Sequence, residues 1–284
     1  WKDWVYANEY LFMIPFLVFH SSSKLLEGPV FDKENNYLYF VSILDCLVYC
    51  YNPKTKEILS IKLDSPVSCV FLLERKIILV ASKNGFFEID FNTLQKQFVF
   101  QIDIDNAVRY NDGIKDPIGR FIIGTMGFPE IKEKIGKVFS YYKGEYKTII
   151  NNTTISNGLA FSLDGNFLYF IDTPTKKVAR YSYDLTTGEV KFKSNVIEFK
   201  GAGSPDGMCI DKNGMLWIAE WGGGCISKWN PLNGERIEEI KLPCANVTSC
   251  CFDNNSNLYV TTAKDGSKDD VYGGGLFYVE LNNN

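Results

Sequence analysis

Short apolar runs alternate with polar turns along the whole chain. YLYFVSI, KIILVAS, NFLYFID and NLYVTTA are rich in aromatic and β-branched residues, and turns such as NPKTKE, DLTTGE and NPLNGE separate them from their neighbours. Runs of that length and composition, bounded by turn formers, predict β-strands, and no segment sustains the 3.6-residue period of an amphipathic helix. The pattern also repeats. EGPVFDKENNYLYFV from Glu27, NGLAFSLDGNFLYFI from Asn157 and DGMCIDKNGMLWIA from Asp206 share one frame: a polar residue, Gly nearby, an apolar stretch, a polar turn and an apolar-aromatic strand. DGIKDPIGRFIIG from Asp112, VSCVFLLERKIILVA from Val67 and TSCCFDNNSNLYVTTA from Thr248 fit the same frame more loosely.

The starts at 27, 67, 112, 157, 206 and 248 lie about 40 to 49 residues apart, the period of four-stranded propeller blades. The expected fold is therefore all-β, a six-bladed β-propeller of four-stranded antiparallel blades forming a single domain over residues 1–284. The apolar stretch YLFMIPFLVF at residues 10–19 is too short to cross a bilayer as a helix and contains Pro15. Asp3 and Glu9 flank it and no small-residue cleavage site follows, which argues against a signal peptide. Its run from Phe16 to Phe19 is expected to be a strand that joins the C-terminal GGGLFYVEL and closes the ring.

The frame suggests chemistry at its head. Glu27, Val67, Asp112, Asn157, Asp206 and Thr248 occupy the repeat-equivalent position, which a propeller would place around one axis. Asp-Gly and Asn-Gly are ordinary turn dipeptides, and Pro205-Asp206-Gly207 has the composition of a tight turn. That reading does not account for Glu27, a poor turn former, in the same slot. Carboxylates converging on an axis repel unless a cation holds them, and all-oxygen ligation suits a hard divalent ion such as Ca²⁺, Mg²⁺ or Mn²⁺.

Other classes fare worse. A net charge of -4, with both signs interspersed, offers no basic face, so nucleic acid is not expected as a partner, nor is a membrane. The single histidine, His20, leaves no Ser-His-Asp, Cys-His or multi-histidine zinc arrangement. Eight cysteines form no CxxC pair; neighbouring Cys250 and Cys251 point to opposite faces of one strand, and a reducing, cytoplasmic setting is expected. Trp217, Trp221 and Trp229 could stack a sugar but are read as core.

EGPVFD, RYNDGIKDPIGRFIIGTM, ISNGLAFSLDGNFLYFIDT, SPDGMCIDKNGMLWIAEWGGG and LPCANVTSCCF resemble, in order, the regucalcin and gluconolactonase (senescence marker protein, sugar lactonase) family of six-bladed propellers, over residues 27 to 279. The resemblance implies one divalent cation (Ca²⁺, Zn²⁺, Mg²⁺ or Mn²⁺) held by Glu27, Asn157 and Asp206, and hydrolysis of a small-molecule sugar lactone. It further implies that Arg109 and Asn111 bind substrate hydroxyls, with Glu130 offered by the loop after GTM. The family motif puts Asn111 near the metal, one residue from the Asp112 that the repeat frame selects. Tyr110 stands where the family motif carries a bulkier apolar residue. Asp206 is the expected general base, taking a proton from the attacking water. A phosphotriester hydrolase and a calcium-binding regulatory protein without turnover are the alternatives, and a monomer or weak homodimer is expected.

Overall fold

The structure, a computed structural model, describes residues 14–21 and 23–281. After β1 (Pro15–His20), a first sheet forms from β2 (Leu26–Asp32), β3 (Tyr37–Ser42), β4 (Leu47–Tyr51) and β5 (Ile58–Lys62). The second contains β6 (Val67–Glu74), β7 (Ile77–Ser82), β8 (Gly85–Asp90) and β9 (Gln95–Phe100), and the third β10 (Val108–Lys115), β11 (Phe121–Gly127), β12 (Gly136–Tyr142) and β13 (Glu145–Thr153). The fourth contains β14 (Ser156–Phe161), β15 (Phe167–Asp172), β16 (Lys177–Tyr183) and β17 (Val190–Glu198), with a 3₁₀ turn over Thr173–Thr175. There follow β18 (Ser204–Ile210), β19 (Leu216–Trp221), β20 (Cys225–Asn230), β21 (Glu235–Lys241), β22 (Asn246–Phe252), β23 (Leu258–Ala263) and β24 (Gly275–Val279).

This corrects the expected six separate blades. Four sheets stand alone with four strands each, while the remaining strands share one eight-stranded sheet in the order β1-β24-β23-β22-β19-β20-β21, with β18 paired to β19. The junction is the pair Trp221↔Asn246, where the end of β19 meets the start of β22. A sequence period reports how often a strand pattern recurs, but not whether neighbouring ladders stay apart. Just beyond β19, the Gly224 amide donates to the Ala245 carbonyl (2.9 Å), directly before β22.

The first strand of each repeat lies innermost. β2, β6, β10, β14, β18 and β22 pack side by side, and β22 returns to β2. β1 pairs antiparallel with β24, from Pro15↔Val279 to His20↔Gly275; residues 10–13 of its apolar stretch lie outside the described residues. Side chains alternate between the two faces of each sheet, so apolar clusters form where strand sets of successive repeats face each other. Tyr39, Val41 and Val48 pack with Val70, Ile78 and Val80, whereas Leu38, Phe40 and Tyr49 pack with Tyr259 and Leu276 across the point where first and last sheets meet. Each fully buried side chain of this size contributes roughly 1.5–3 kcal/mol. Trp217 and Trp229 are core, while Trp221 is 38% exposed. Cys250 and Cys251 fall in different clusters, as their neighbouring positions require. Among the described residues, no helix is long and apolar enough to cross a membrane.

Candidate functional site

Every innermost strand breaks register at or beside the head of its repeat. The shifts fall between Glu27 and Val30, Val67 and Val70, Tyr110 and Gly113, Asn157 and Leu159, Pro205 and Met208, and Val247 and Ser249. A bulge re-aims side chains and interrupts the ladder. Repeated at one level of the ring, it brings the flanking polar groups together on the axis. The Pro-Asp-Gly segment is thus a bulged strand and not the tight turn its composition suggests. Its glycine answers to crowding: a Cβ on Gly207 would lie 2.5 Å from Ser249 Cβ and 2.9 Å from Ser249 Cα. On Gly158 it would lie 2.5 Å from the Asp206 carbonyl oxygen. Gly is needed where innermost strands nearly touch.

Glu27, Asn111, Asp112 and Asn157 line one tight space at this level, together with Ile43 and Ser68. Glu27, Arg109, Asn111, Asn157 and Asp206 are each less than a tenth exposed. Asp112 lines both this space and a second cavity of about 300 Å³ farther along the axis, formed by the later halves of the innermost strands. The one-residue disagreement over Asn111 and Asp112 resolves because the bulge after Tyr110 admits both residues to the axis.

The hydrogen bonds set the roles apart. Arg109 Nη1 donates to the Tyr110 carbonyl (2.9 Å) and to Asn111 Oδ1 (2.7 Å), while Asn111 Nδ2 donates to the Ser156 carbonyl (2.9 Å). Asn111 is therefore engaged at both ends of its amide and fixes the guanidinium, whose Cζ lies 6.0 Å from the centroid of the Phe128 ring. Tyr110 is fully buried, and its hydroxyl donates to the Ile102 carbonyl (3.1 Å), anchoring the strand from behind. Glu27 Oε2 accepts from the Gly28 amide and Asp112 Oδ1 from the Gly113 amide. By contrast, Asn157 Oδ1 and Asp206 Oδ1 are buried and have no hydrogen-bond partner.

The electrostatics follow from crowding three carboxylates around one cation. Burial raises Glu27 to about 8, with Asp112 adding to the effect and the Gly28 amide and Arg109 opposing it. Burial raises Asp112 to about 6, against the Gly113 amide. Asp206 is pushed well above the usual carboxylate range, first by burial and then by Glu27 and Asp112, with Asn157 and Arg109 opposing. Burial lowers Arg109 to about 10 despite Glu27 and Asp206. One guanidinium does not balance three carboxylates.

Among the described residues, no group of three or more His, Cys, Asp and Glu is arranged to hold a metal ion. The candidate set is mixed, two carboxylates and an amide, and its unpartnered oxygens are those a hard divalent cation takes. The residues fit such an ion. Glu130 stands apart: it is exposed, on the loop that follows Phe128, and no hydrogen bond ties it to the cluster. Sequence reasoning did not select Ser68, which lines the site, or Ser156 and Thr173, which bond its residues from outside; a Thr directly after the aromatic strand FLYFID was the one available signal.

The comparisons agree with this architecture. Human regucalcin is 35% identical over 249 residues, covering 84% of this chain and 83% of that protein. YvrE of Bacillus subtilis (strain 168), provisionally named a sugar lactone lactonase, is 33% identical over 264 residues, covering 90% of each. The crystal structure of a regucalcin from Agrobacterium tumefaciens, described as a calcium-binding protein, superposes with a TM-score of 0.88 at 25% identity, covering 95% of this chain and 94% of that one. The family described as SMP-30/Gluconolactonase/LRE-like region matches residues 25–264. With that match spanning every innermost strand, the chain belongs to the SMP-30/gluconolactonase/LRE-like family.

Proposed function

We propose that the chain is a lactonase that hydrolyses a sugar lactone at the axial cluster, with one divalent cation held by Glu27, Asn157 and Asp206. The observation that carries this reading is the pair of unpartnered buried oxygens, Asn157 Oδ1 and Asp206 Oδ1, beside carboxylates that lack sufficient counter-charge. The family name includes gluconolactonase, and the Bacillus relative's name points to sugar lactones.

When bound, the cation supplies Lewis acidity toward the lactone carbonyl and offsets charge on the acyl oxygen. The chain's own residues do the rest. Arg109, held by Asn111 and the Tyr110 carbonyl, presents a fixed donor to the hydroxyls of a polyol substrate. Asp206 takes the proton from the attacking water on its carboxylate and returns it to the ring oxygen as the ester bond breaks. Arg109 and Asn111 favour this over phosphotriester hydrolysis, which would use a more apolar wall.

The relative described as calcium-binding supports a second reading, in which the same residues bind calcium without turnover. Acid release decides between the two. Chelator-treated protein reconstituted singly with Ca²⁺, Zn²⁺, Mg²⁺ or Mn²⁺ should release acid from aldonolactones, and Asp206→Asn should abolish this with the fold intact. No acid from any pair would leave only the binding reading.

A further inference from the structure

Thr173 opens the 3₁₀ turn that follows β15, outside the cluster itself. Asn157 Nδ2 donates to its Oγ1 (3.1 Å), and Oγ1 donates to the Pro205 carbonyl (3.0 Å). One hydroxyl thus touches one candidate ligand directly and the backbone immediately before another. Its position is itself fixed, because the Thr173 amide donates to the Ile155 carbonyl and the preceding Asp172 carboxylate accepts from the Thr154 and Ile155 amides.

The proton count makes this contact directional. A carbonyl oxygen only accepts, so the single hydroxyl proton must go to Pro205. Oγ1 can then only accept from Asn157, which forces the amide NH₂ toward Thr173. Asn157 Oδ1 must face the other way, into the cluster, where it is buried and unpartnered. Apart from the Asn157 contact to the Asp206 carboxylate, the Thr173 hydroxyl is what distinguishes the two amide orientations, and in the flipped one an NH₂ would confront the site.

Building on the cation reading above, we propose that Thr173 is a positioning residue that locks the Asn157 amide oxygen toward the cation and ties that orientation to the strand carrying Asp206. Groups that orient a metal ligand typically change affinity roughly 10- to 100-fold when removed.

The test is calcium binding by the chelator-treated full chain, measured by titration calorimetry with calcium chloride. Thr173→Val keeps the shape and removes the hydroxyl; its calcium Kd should rise roughly 10- to 100-fold. Thr173→Ser should bind like the parent. Asn157→Asp has two equivalent oxygens and no amide to orient, so adding Thr173→Val to it should change the Kd little. Thr173→Ala gives the same comparison should the valine variant fail to fold. Unchanged affinity in Thr173→Val, or an undiminished effect in the Asn157→Asp background, overturns the positioning role while the cation reading stands. A parent chain that binds no calcium, manganese or zinc overturns both.

Discussion

Removing the cation should make stability depend on pH in a specific direction. A carboxyl group whose folded pKa lies above its unfolded value takes up a proton on folding. Its contribution is therefore most favourable below the unfolded pKa and is lost as pH rises toward the folded one. Glu27, raised from 4.5 to about 8, places that loss between about pH 4.5 and pH 8, and Asp112, raised from 3.8 to about 6, adds to its lower half. From about pH 5 to about pH 8, Glu27 alone spans three units at 1.36 kcal/mol each, or about 4 kcal/mol. In a chain of this size 1 kcal/mol shifts Tm by about 2 °C, so the chelator-treated protein should melt about 8 °C lower at the upper pH. Bound calcium uses the ionised carboxylates, so its stabilising shift should be larger at the upper pH, where it also removes their repulsion. Calorimetric melting with chelator and with excess calcium chloride, at both pH values, measures all four corners. Glu27→Gln should flatten the chelator-treated slope. A chelator-treated Tm that stays level or rises with pH, or a calcium shift equal at both, refutes the account of the cluster.

Further expectations are independent of that measurement. Glu27→Gln should weaken calcium affinity while leaving the strands intact, as read by calorimetric titration alongside circular dichroism. Gly207→Ala forces a Cβ against Ser249, so it should destabilise by about 1–3 kcal/mol in denaturant unfolding and reduce turnover by displacing Asp206. Arg120→Met strands a buried carboxylate: Arg120 Nη1 donates to Asp116 Oδ2 (2.9 Å), which also accepts from the Tyr183 hydroxyl (2.7 Å). That loss should cost about 3–5 kcal/mol of stability in the same assay, and a loss below 1 kcal/mol would show that the pair is solvated.

The strand pattern and its period were legible because alternation and turn residues are local properties of the chain. EGP, SNG and PDG could be put in one frame, and the structure brings Glu27, Asn157 and Asp206 to one level of the ring. The Asp-Gly and Asn-Gly dipeptides were open to a turn reading because a bulge and a turn use the same residues. Only the approach of β18 to β22 and of β14 to β18 shows that glycine is there to let backbones touch. The blade count went astray for a related reason: whether β19 bonds to β22 is decided by one pair across space, Trp221↔Asn246, which leaves no periodic mark. Glu130 follows GTM on an exposed loop, and a loop position does not fix where a side chain points. Thr173 is visible in the sequence only as a Thr after FLYFID, since its meaning lies in a hydroxyl shared between residues 16 and 32 positions away. The sequence by itself determined the strands, their repetition and which residues carry oxygen donors. Tertiary structure decided which of those donors are left without partners, because partnering depends on contacts between strands that local pattern does not encode.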